Sequence, residues 1–150
     1  MVKKPTPAGW PRISSSAFYD DPHAAIEFLC RAFGFEVRLL VEGEAGRVEH
    51  SELTFGEGLV MVGSGKPDAT YRASPRTVGG TNTQAMCLFV DDVDAHCAHA
   101  RAEGAVVVTE PKTSDYGEDY WVDRSYEARD PEGHHWWFMQ RLRTGTEDAR

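Results

Sequence analysis

Hydrophobic positions in this chain of 150 residues alternate with polar ones over most segments and recur every three to four residues over two others. Alternation predicts strands with one buried face, whereas the longer period predicts an amphipathic helix. In the first half, the pattern predicts a strand over 12–19, a helix over 22–33 and strands over 35–42, 48–55 and 59–62. In the second half, it predicts a strand over 85–90, a helix over 93–103, a strand over 105–109, a loop over 110–120 and a closing hairpin.

Local signals mark where these elements begin and end. Asp21 followed by Pro22 is typical of a helix start, with the aspartate as N-cap and the proline in the first helical position. Gly34 is typical of a helix C-cap. Asp130-Pro131-Glu132-Gly133 predicts the tight turn of the closing hairpin, because proline presets φ at the second turn position and glycine accepts a positive φ.

The second series of elements repeats the first. Tyr19-Asp20-Asp21 aligns with Val90-Asp91-Asp92, and Phe33-Gly34 aligns with Glu103-Gly104. Two copies of one strand-helix-strand-strand-strand unit predict an α+β fold with internal pseudo-symmetry. One helix cannot cover both faces of a four-stranded sheet, so two such sheets side by side predict a concave face, which is where ligands usually bind.

The repeat also predicts the domain organisation. We expect a single domain over 12–140 with two βαβββ modules. The segment between them is rich in Gly, Pro, Ser and Thr, which predicts a linker that could also fold over a site as a lid. The predicted ranges are 12–63 for module one, 64–83 for the linker, 84–140 for module two, and 1–11 and 141–150 for two tails.

Charge and composition narrow the classes of partner. Asp and Glu number 24 and Lys and Arg 16, which gives a formal net charge of −8 and argues against nucleic acid and anionic membranes as partners. No apolar run approaches roughly 18 residues, and no apolar segment follows the basic N-terminus as it would in a signal peptide. The three cysteines are an odd number without a Cys-x-x-Cys pair, which favours reduced thiols. We therefore expect a cytoplasmic protein.

Three motifs resemble one known family. Val48-Glu49-His50-Ser51-Glu52-Leu53, Tyr120-Trp121-Val122-Asp123-Arg124 and Arg129-Asp130-Pro131-Glu132-Gly133-His134-His135-Trp136 resemble segments of the vicinal oxygen chelate superfamily, and most of all its PhnB-like branch. This superfamily contains glyoxalase I, the bleomycin-resistance proteins and the extradiol dioxygenases. The resemblance implies a pseudo-symmetric glyoxalase/bleomycin-resistance-type domain with a concave mixed sheet, and a homodimer.

The metalloenzymes of this superfamily bind a divalent ion through His or Glu at four strand positions. The resemblance places Ser14, Ala85, Trp137 and Val62 at those positions. None of these side chains is a good ligand for a hard or borderline ion. We therefore expect neither a metal ion nor a cofactor.

Two other groups of histidines could contribute metal ligands. His96 and His99 are one helical turn apart with Cys97 between them, and this group is interpreted as a solvated helix face, because two donors without a third rarely hold a metal. His134 and His135 are neighbours in a predicted strand, so their side chains point to opposite faces. Neither pair is therefore assigned as a metal site.

Side-chain alternation predicts which residues line the groove. The resemblance directs Ser14 and Trp137 inward, and strand alternation then directs Trp136 and Phe138 into the core, together with Ile13, Met86 and Leu88. Aromatic side chains on the inward face offer flat surfaces for a ligand ring. The predicted ligand-binding residues are Ser14, Ser16, Phe89, Trp121, Glu127, Trp137 and Met139.

His50 and Glu52 are the candidate catalytic residues. They share one face of a predicted strand, opposite Ser51 and Leu53, and Glu52 aligns with Glu127 in the repeat. An imidazole and two carboxylates in an aromatic cavity could perform general acid/base chemistry, because burial raises the pKa of a carboxyl group. The alternative interpretation is a structural hydrogen-bonded pair, or residues at the surface between two subunits.

Three functions are compatible with these patterns. The first is a metal-independent protein that binds and possibly sequesters a small aromatic or cationic compound, as the resemblance to the bleomycin-resistance proteins implies. The second is an enzyme, either a lyase or isomerase that uses His50 and Glu52, or a metal-dependent glyoxalase or dioxygenase with unfamiliar ligands. The third is an interaction module whose dimer is the functional unit.

Overall fold

The computed structural model describes residues 4–66, 68 and 71–145. The chain divides into two compact units, residues 1–80 (unit one) and 81–150 (unit two). In the described part of the chain, no helix combines the length and the apolar character that a membrane span requires.

Unit one is a four-stranded sheet with one helical segment. The sheet has the order β1-β4-β3-β2, in which β1 and β4 are parallel and the other pairs are antiparallel. Its elements are β1 (Ser15–Tyr19), α1 (Pro22–Phe28), a π-helical turn (Leu29–Phe33), β2 (Glu36–Glu42), β3 (Val48–Phe55) and β4 (Gly58–Ser64).

The helix of unit one begins and ends as its sequence predicts. The side chain of Asp21 accepts a hydrogen bond from the backbone N–H of Ala24, and Pro22 occupies the first turn. Gly34 ends the π-helical turn with φ of 85°, a conformation that a side chain would disfavour. The segment packs on β1, β3 and β4 and buries Leu29 and Phe33 completely.

Unit two repeats this architecture. Its sheet has the order β5-β8-β7-β6, with β5 and β8 parallel, and α2 packs on β6, β7 and β8. Its elements are β5 (Met86–Phe89), α2 (Val93–Ala102), β6 (Val106–Asp115), β7 (Trp121–Arg129) and β8 (His135–Thr144).

The turn between β7 and β8 is held by one buried carboxylate. Asp130 Oδ1 accepts the backbone N–H groups of Glu132, Gly133 and His134 at 3.0–3.1 Å. Its Oδ2 accepts the indole N–H of Trp136 at 3.1 Å. This turn therefore anchors the first buried aromatic residue of β8.

The structure confirms the α+β class and the repeated order of elements, and it corrects several boundaries. β1 begins at Ser15, and Ile13, predicted to be core, is 87% exposed. β6 continues to Asp115 through the predicted loop, because Pro111 is tolerated in a strand at the sheet edge. β8 continues to Thr144, so it includes residues that the sequence assigned to a tail.

Candidate functional site

Each sheet has one face against its helix and an opposite face, which we call the helix-free face. On β8, Trp136 and Phe138 are fully buried on the helix side, while Trp137 and Met139 are partly exposed on the other. On β3, Ser51 and Leu53 are buried on the helix side. The predicted core role of Trp136 and Phe138 is therefore confirmed.

On the helix-free face of unit one, Glu52 is the centre of a charged cluster. It is 6% exposed. Its Oε2 accepts a 2.7 Å hydrogen bond from Arg38 Nε, and its Oε1 lies 3.0 Å from His50 Nε2. The Arg38 guanidinium also donates to the carbonyl of Gly9 and lies 5.1 Å from the centre of the Trp10 ring.

These partners determine the protonation of Glu52. The hydrogen bond from His50, followed by the one from Arg38, lowers the pKa of this carboxyl group, and burial acts in the opposite direction without prevailing. The expected rise in pKa is therefore wrong for Glu52. With both oxygens engaged and its basicity reduced, Glu52 is suited to orienting His50, whose side chain is 40% exposed.

The helix-free face of unit two carries a second carboxylate–imidazole pair. Glu127 Oε1 accepts a hydrogen bond from His135 Nδ1, and Thr109 Oγ1 donates to Glu127 Oε2 at 3.1 Å. Glu127 lies opposite Trp137 in the β7–β8 register, so His135 is its diagonal neighbour on the same face. Each unit therefore presents one glutamate hydrogen-bonded to one histidine.

An aromatic and cationic cluster adjoins this pair. The Arg141 guanidinium lies 5.4 Å from the Phe89 ring centre and 5.0 Å from that of Trp121. Its Nε donates to Asp123, which is 8% exposed, so the charge of Arg141 is neutralised. The two rings are 53% and 37% exposed, which leaves flat apolar surface for a ligand.

The structure divides the predicted site residues between the two units. Trp137 is partly exposed between Cys87 and Glu127 in the strand register, and Met139 pairs with Phe89. Ser14 lies just before β1 and is partly exposed, and Ser16 is exposed on β1. The unit-one residues are Ser14, Ser16, His50 and Glu52, and the unit-two residues are Phe89, Trp121, Glu127, Trp137 and Met139.

Sequence reasoning did not select Arg38 or Arg141 for the site, and alternation directed His135 to the concave face without giving it a role there. Arg141 follows Met139 at strand spacing, so alternation could have found it. Arg38 lies at a register shift between Val37 and Leu39, where alternation fails. The pairing of His135 with Glu127 requires the β7–β8 register, which the sequence alone does not define.

The strand register corrects one of the four metal positions. Ser16 pairs with Met61 as Cys87 pairs with Trp137, so the counterpart of Trp137 is Met61. Val62, the predicted counterpart, is 1% exposed on the helix side. A thioether is a soft ligand, so this correction adds no donor that a hard or borderline ion prefers.

The donor set as a whole does not fit the metal ion of the family's enzymes. Among the described residues, no group of three or more His, Cys, Asp or Glu side chains is placed to hold an ion. In unit one, the position equivalent to Trp137 is occupied by Met61. Ala85, at another of the four family positions, lies just before β5. We therefore derive no chemistry through a metal at this face.

One of the two α2 histidines departs from the predicted solvated helix face. His96 Nδ1 lies 2.7 Å from the hydroxyl of Tyr126, and its ring centre is 4.4 Å from that of Phe138. Burial raises the pKa of Tyr126. Cys97 is 3% exposed. His96 and Cys97 therefore lie against the core of unit two, whereas His99 is exposed, as predicted.

Comparisons with known proteins agree with this architecture. The family model described as Glyoxalase/Bleomycin resistance protein/Dioxygenase superfamily matches residues 12–138. An uncharacterized protein of Mycobacterium bovis is 33% identical over 135 residues, which cover 89% of this chain and 85% of that protein.

Two solved structures are similar over most of the chain. The crystal structure of TioX from Micromonospora sp. ML1 has a TM-score of 0.67 and 32% identity, covering 88% of this chain and 99% of TioX. That of TnmS3, an antibiotic binding protein from Streptomyces sp. CB03234, has a TM-score of 0.64 and 22% identity, covering 85% and 93% of the two chains. At 22% identity, the similarity to TnmS3 shows that the two proteins share a fold.

Proposed function

Because this chain belongs to the glyoxalase/bleomycin resistance protein/dioxygenase superfamily, we propose that it binds and sequesters a small aromatic compound without a metal ion. The observation that carries this proposal is the pair of exposed rings, Phe89 and Trp121, on the helix-free face of unit two. An aromatic surface that the protein leaves exposed gains most by stacking with a flat ligand ring.

Charge pairing favours an aromatic ligand over a purely cationic one. Glu52 is neutralised by Arg38, and Asp123 by Arg141. Glu127 is hydrogen-bonded to both His135 and Thr109. A ligand cation would have to compete with these existing partners, whereas a ligand ring would only displace water from Phe89 and Trp121.

Binding of a small molecule is a function that this fold can perform. TnmS3, which shares the fold, is an antibiotic binding protein. The resemblance of the present sequence to the PhnB-like branch remains a prediction, as do the homodimer and the cytoplasmic location. The donor set at the family's metal positions supports binding without a metal.

The test is ligand titration of matched variants. Polycyclic aromatic compounds are titrated into the wild-type protein while tryptophan fluorescence is recorded. Phe89→Ala and Trp121→Ala should each weaken binding by roughly five- to tenfold, since a stacked aromatic pair contributes about 0.5–1.5 kcal/mol beyond its buried area. Leu40→Ala is the control, because Leu40 is 38% exposed and pairs with Ser51 on the helix side of the unit-one sheet. Equal affinity in all three variants would contradict the proposed site.

A second candidate function is a lyase or isomerase reaction with His50 as general base. The supporting observation is that Glu52 holds His50 at 3.0 Å and leaves the imidazole 40% exposed. In this role Glu52 is a positioning residue, and the hydrogen bonds from His50 and Arg38 lower its pKa and make it a weaker base. If turnover of a bound compound is found, His50→Ala should abolish it and Glu52→Gln should alter its pH profile.

A further inference from the structure

A cavity of about 760 Å³ lies in unit one, and its wall includes none of the residues of the Glu52 cluster. β1 and β4 are parallel and end side by side, with Tyr19 paired to Ser64, so the segments that follow both strands leave the sheet at the same edge. The wall of the cavity consists of residues 19–23, 45–47, 64–66, 72–74 and 77–78. Its volume is in the range of small-molecule sites.

The charge of this cavity differs from that of the chain. Three cationic residues, Arg47, Lys66 and Arg72, line it together with two carboxylates, Asp20 and Asp21. The whole chain has a formal net charge of −8. The cavity therefore has more cationic than anionic side chains although the protein as a whole is acidic. A concave surface lined by cations raises the local concentration of anions, which favours an anionic ligand.

Two of these cations lack an opposite charge. Among the residues that the structure describes, neither Lys66 nor Arg72 forms an ion pair with a carboxylate. Arg72 Nε donates to the hydroxyl of Tyr71 at 2.8 Å, and its guanidinium lies 5.7 Å from the Phe18 ring centre. Its terminal nitrogens remain as donors. Arg47 is less available, since its Nε lies 3.5 Å from Glu49.

Backbone hydrogen bonds hold the main chain of Lys66 beside that of Arg72. The N–H of Lys66 donates to the carbonyl of Arg72 at 2.8 Å, and the N–H of Gly65 donates to the carbonyl of Tyr19 at 2.9 Å. A Cβ at Gly65 would lie 3.2 Å from the Arg72 carbonyl oxygen, so a glycine permits this close approach. Lys66 and Arg72 are thus adjacent in the main chain and both line the cavity, so an anion bound there would be attracted by both charges.

A hydroxyl group and a carboxylate complete the wall. Ser64 Oγ accepts the backbone N–H of Val48 at 3.1 Å, which leaves its O–H to donate into the cavity. Asp21 Oδ1 is occupied by the N–H of Ala24 at 3.0 Å, so part of its charge is used within the fold. The donors that face the cavity are therefore an ammonium, a guanidinium and a hydroxyl.

From this arrangement we propose that unit one contains a second binding site, which takes the oxyanion group of a small organic acid or phosphate ester. Arg72 offers a fork of donors and Lys66 a point charge, the two types of group that bind carboxylate and phosphate oxygens. The volume of the cavity leaves room for the remainder of such a molecule. This site shares no residue with the aromatic site proposed above.

Calorimetric titration tests the proposal. Inorganic phosphate and citrate are titrated separately into the full chain at constant ionic strength. At least one should bind, with phosphate alone indicating a phosphate ester and citrate alone an organic acid. Lys66→Gln and Arg72→Gln should each weaken binding by about tenfold or more, as expected for loss of a charge-assisted hydrogen bond. Lys112→Gln, an exposed lysine on β6, is the control for net charge.

The outcomes separate this proposal from the one for the aromatic site. Binding of neither anion, or equal weakening by Lys66→Gln and Lys112→Gln, would overturn the oxyanion site. Lys66→Gln should leave the binding of aromatic compounds unchanged, because Lys66 is not on the helix-free face of unit two. Arg72→Gln also removes the stacking on Phe18, so Lys66→Gln decides the result if the Arg72 variant loses stability.

Discussion

Two adjacent tryptophans on β8 provide a direct test of the strand assignment, because replacement by alanine should have very different costs. Trp136 is 0% exposed, and its indole N–H is the donor to the buried Asp130 Oδ2. Trp137 points to the helix-free face and is partly exposed. Trp136→Ala should therefore be much more destabilising than Trp137→Ala.

The magnitudes follow from burial and hydrogen bonding. Removing a packed tryptophan costs about 3–5 kcal/mol, and loss of the hydrogen bond from the indole to the charged Asp130 Oδ2 adds roughly 1–3 kcal/mol. The Trp137 site is open on one side, so no closed cavity forms and mainly the transfer free energy is lost, roughly 1.5–3 kcal/mol. The two variants should then differ by about 2 kcal/mol or more in free energy of unfolding.

Urea unfolding followed by circular dichroism measures this difference. The total stability of a small domain is about 5–15 kcal/mol, so Trp136→Ala could leave too little folded protein to analyse. Trp136→Phe is then the second variant, since it keeps one aromatic ring while it removes the donor and part of the ring volume, and it should fall between the wild type and Trp136→Ala. If Trp137→Ala is as destabilising as Trp136→Ala, or more so, the assignment of β8 side chains to the two faces is wrong.

Three further predictions concern charge, metal and assembly. The pKa of Glu52 is lower in the folded protein, so its stabilising effect is complete above the ordinary value of 4.5 and is lost as the pH falls through the folded-state pKa. Glu52→Gln should thus lower the melting temperature at pH 7 but progressively less in acid, and a pH-independent difference would contradict this. Treatment with a chelator should change the melting temperature by no more than about one degree, and a loss of many degrees would refute metal independence. The edge strand β2 exposes Val37, Leu39 and Val41, so sedimentation should detect a dimer at micromolar concentration, and a monomer would exclude it.

The sequence was sufficient to predict the repeated architecture and the two faces of β8. Both rest on periodicity, and alternation places Trp136 and Trp137 on opposite faces whatever the exact strand boundaries are. The helix cap and the hairpin turn could also be predicted, because each depends on residues only a few positions apart in the sequence. Asp21 accepts from Ala24 N–H, and Asp130 organises the turn before β8, in the positions that their neighbours in sequence predicted.

The features that could not be predicted depend on register. The prediction took Val62 and Trp137 as equivalent because they lie four residues after Gly58 and Gly133, but Gly58 is the first residue of β4 whereas Gly133 lies in a turn before β8. This is why Val62 was taken for the counterpart of Trp137 when Met61 is. The pKa of Glu52 is lowered first by the hydrogen bond from His50 on the same strand and then by Arg38, and the second contribution could not be predicted because Arg38 reaches Glu52 from a neighbouring strand at a register shift.

Binding of an aromatic compound is the central claim, and a thermal-shift comparison of matched compounds tests it most directly. A panel of polycyclic aromatic compounds, neutral and cationic, is compared with aliphatic ammonium ions of similar charge, in the presence of a chelator. The account predicts that members of the aromatic panel raise the melting temperature in proportion to their occupancy, that the aliphatic ions do not, and that Trp121→Ala removes the shift. A shift from the aliphatic ions alone, a shift that requires an added metal, or no shift from any aromatic compound would contradict it.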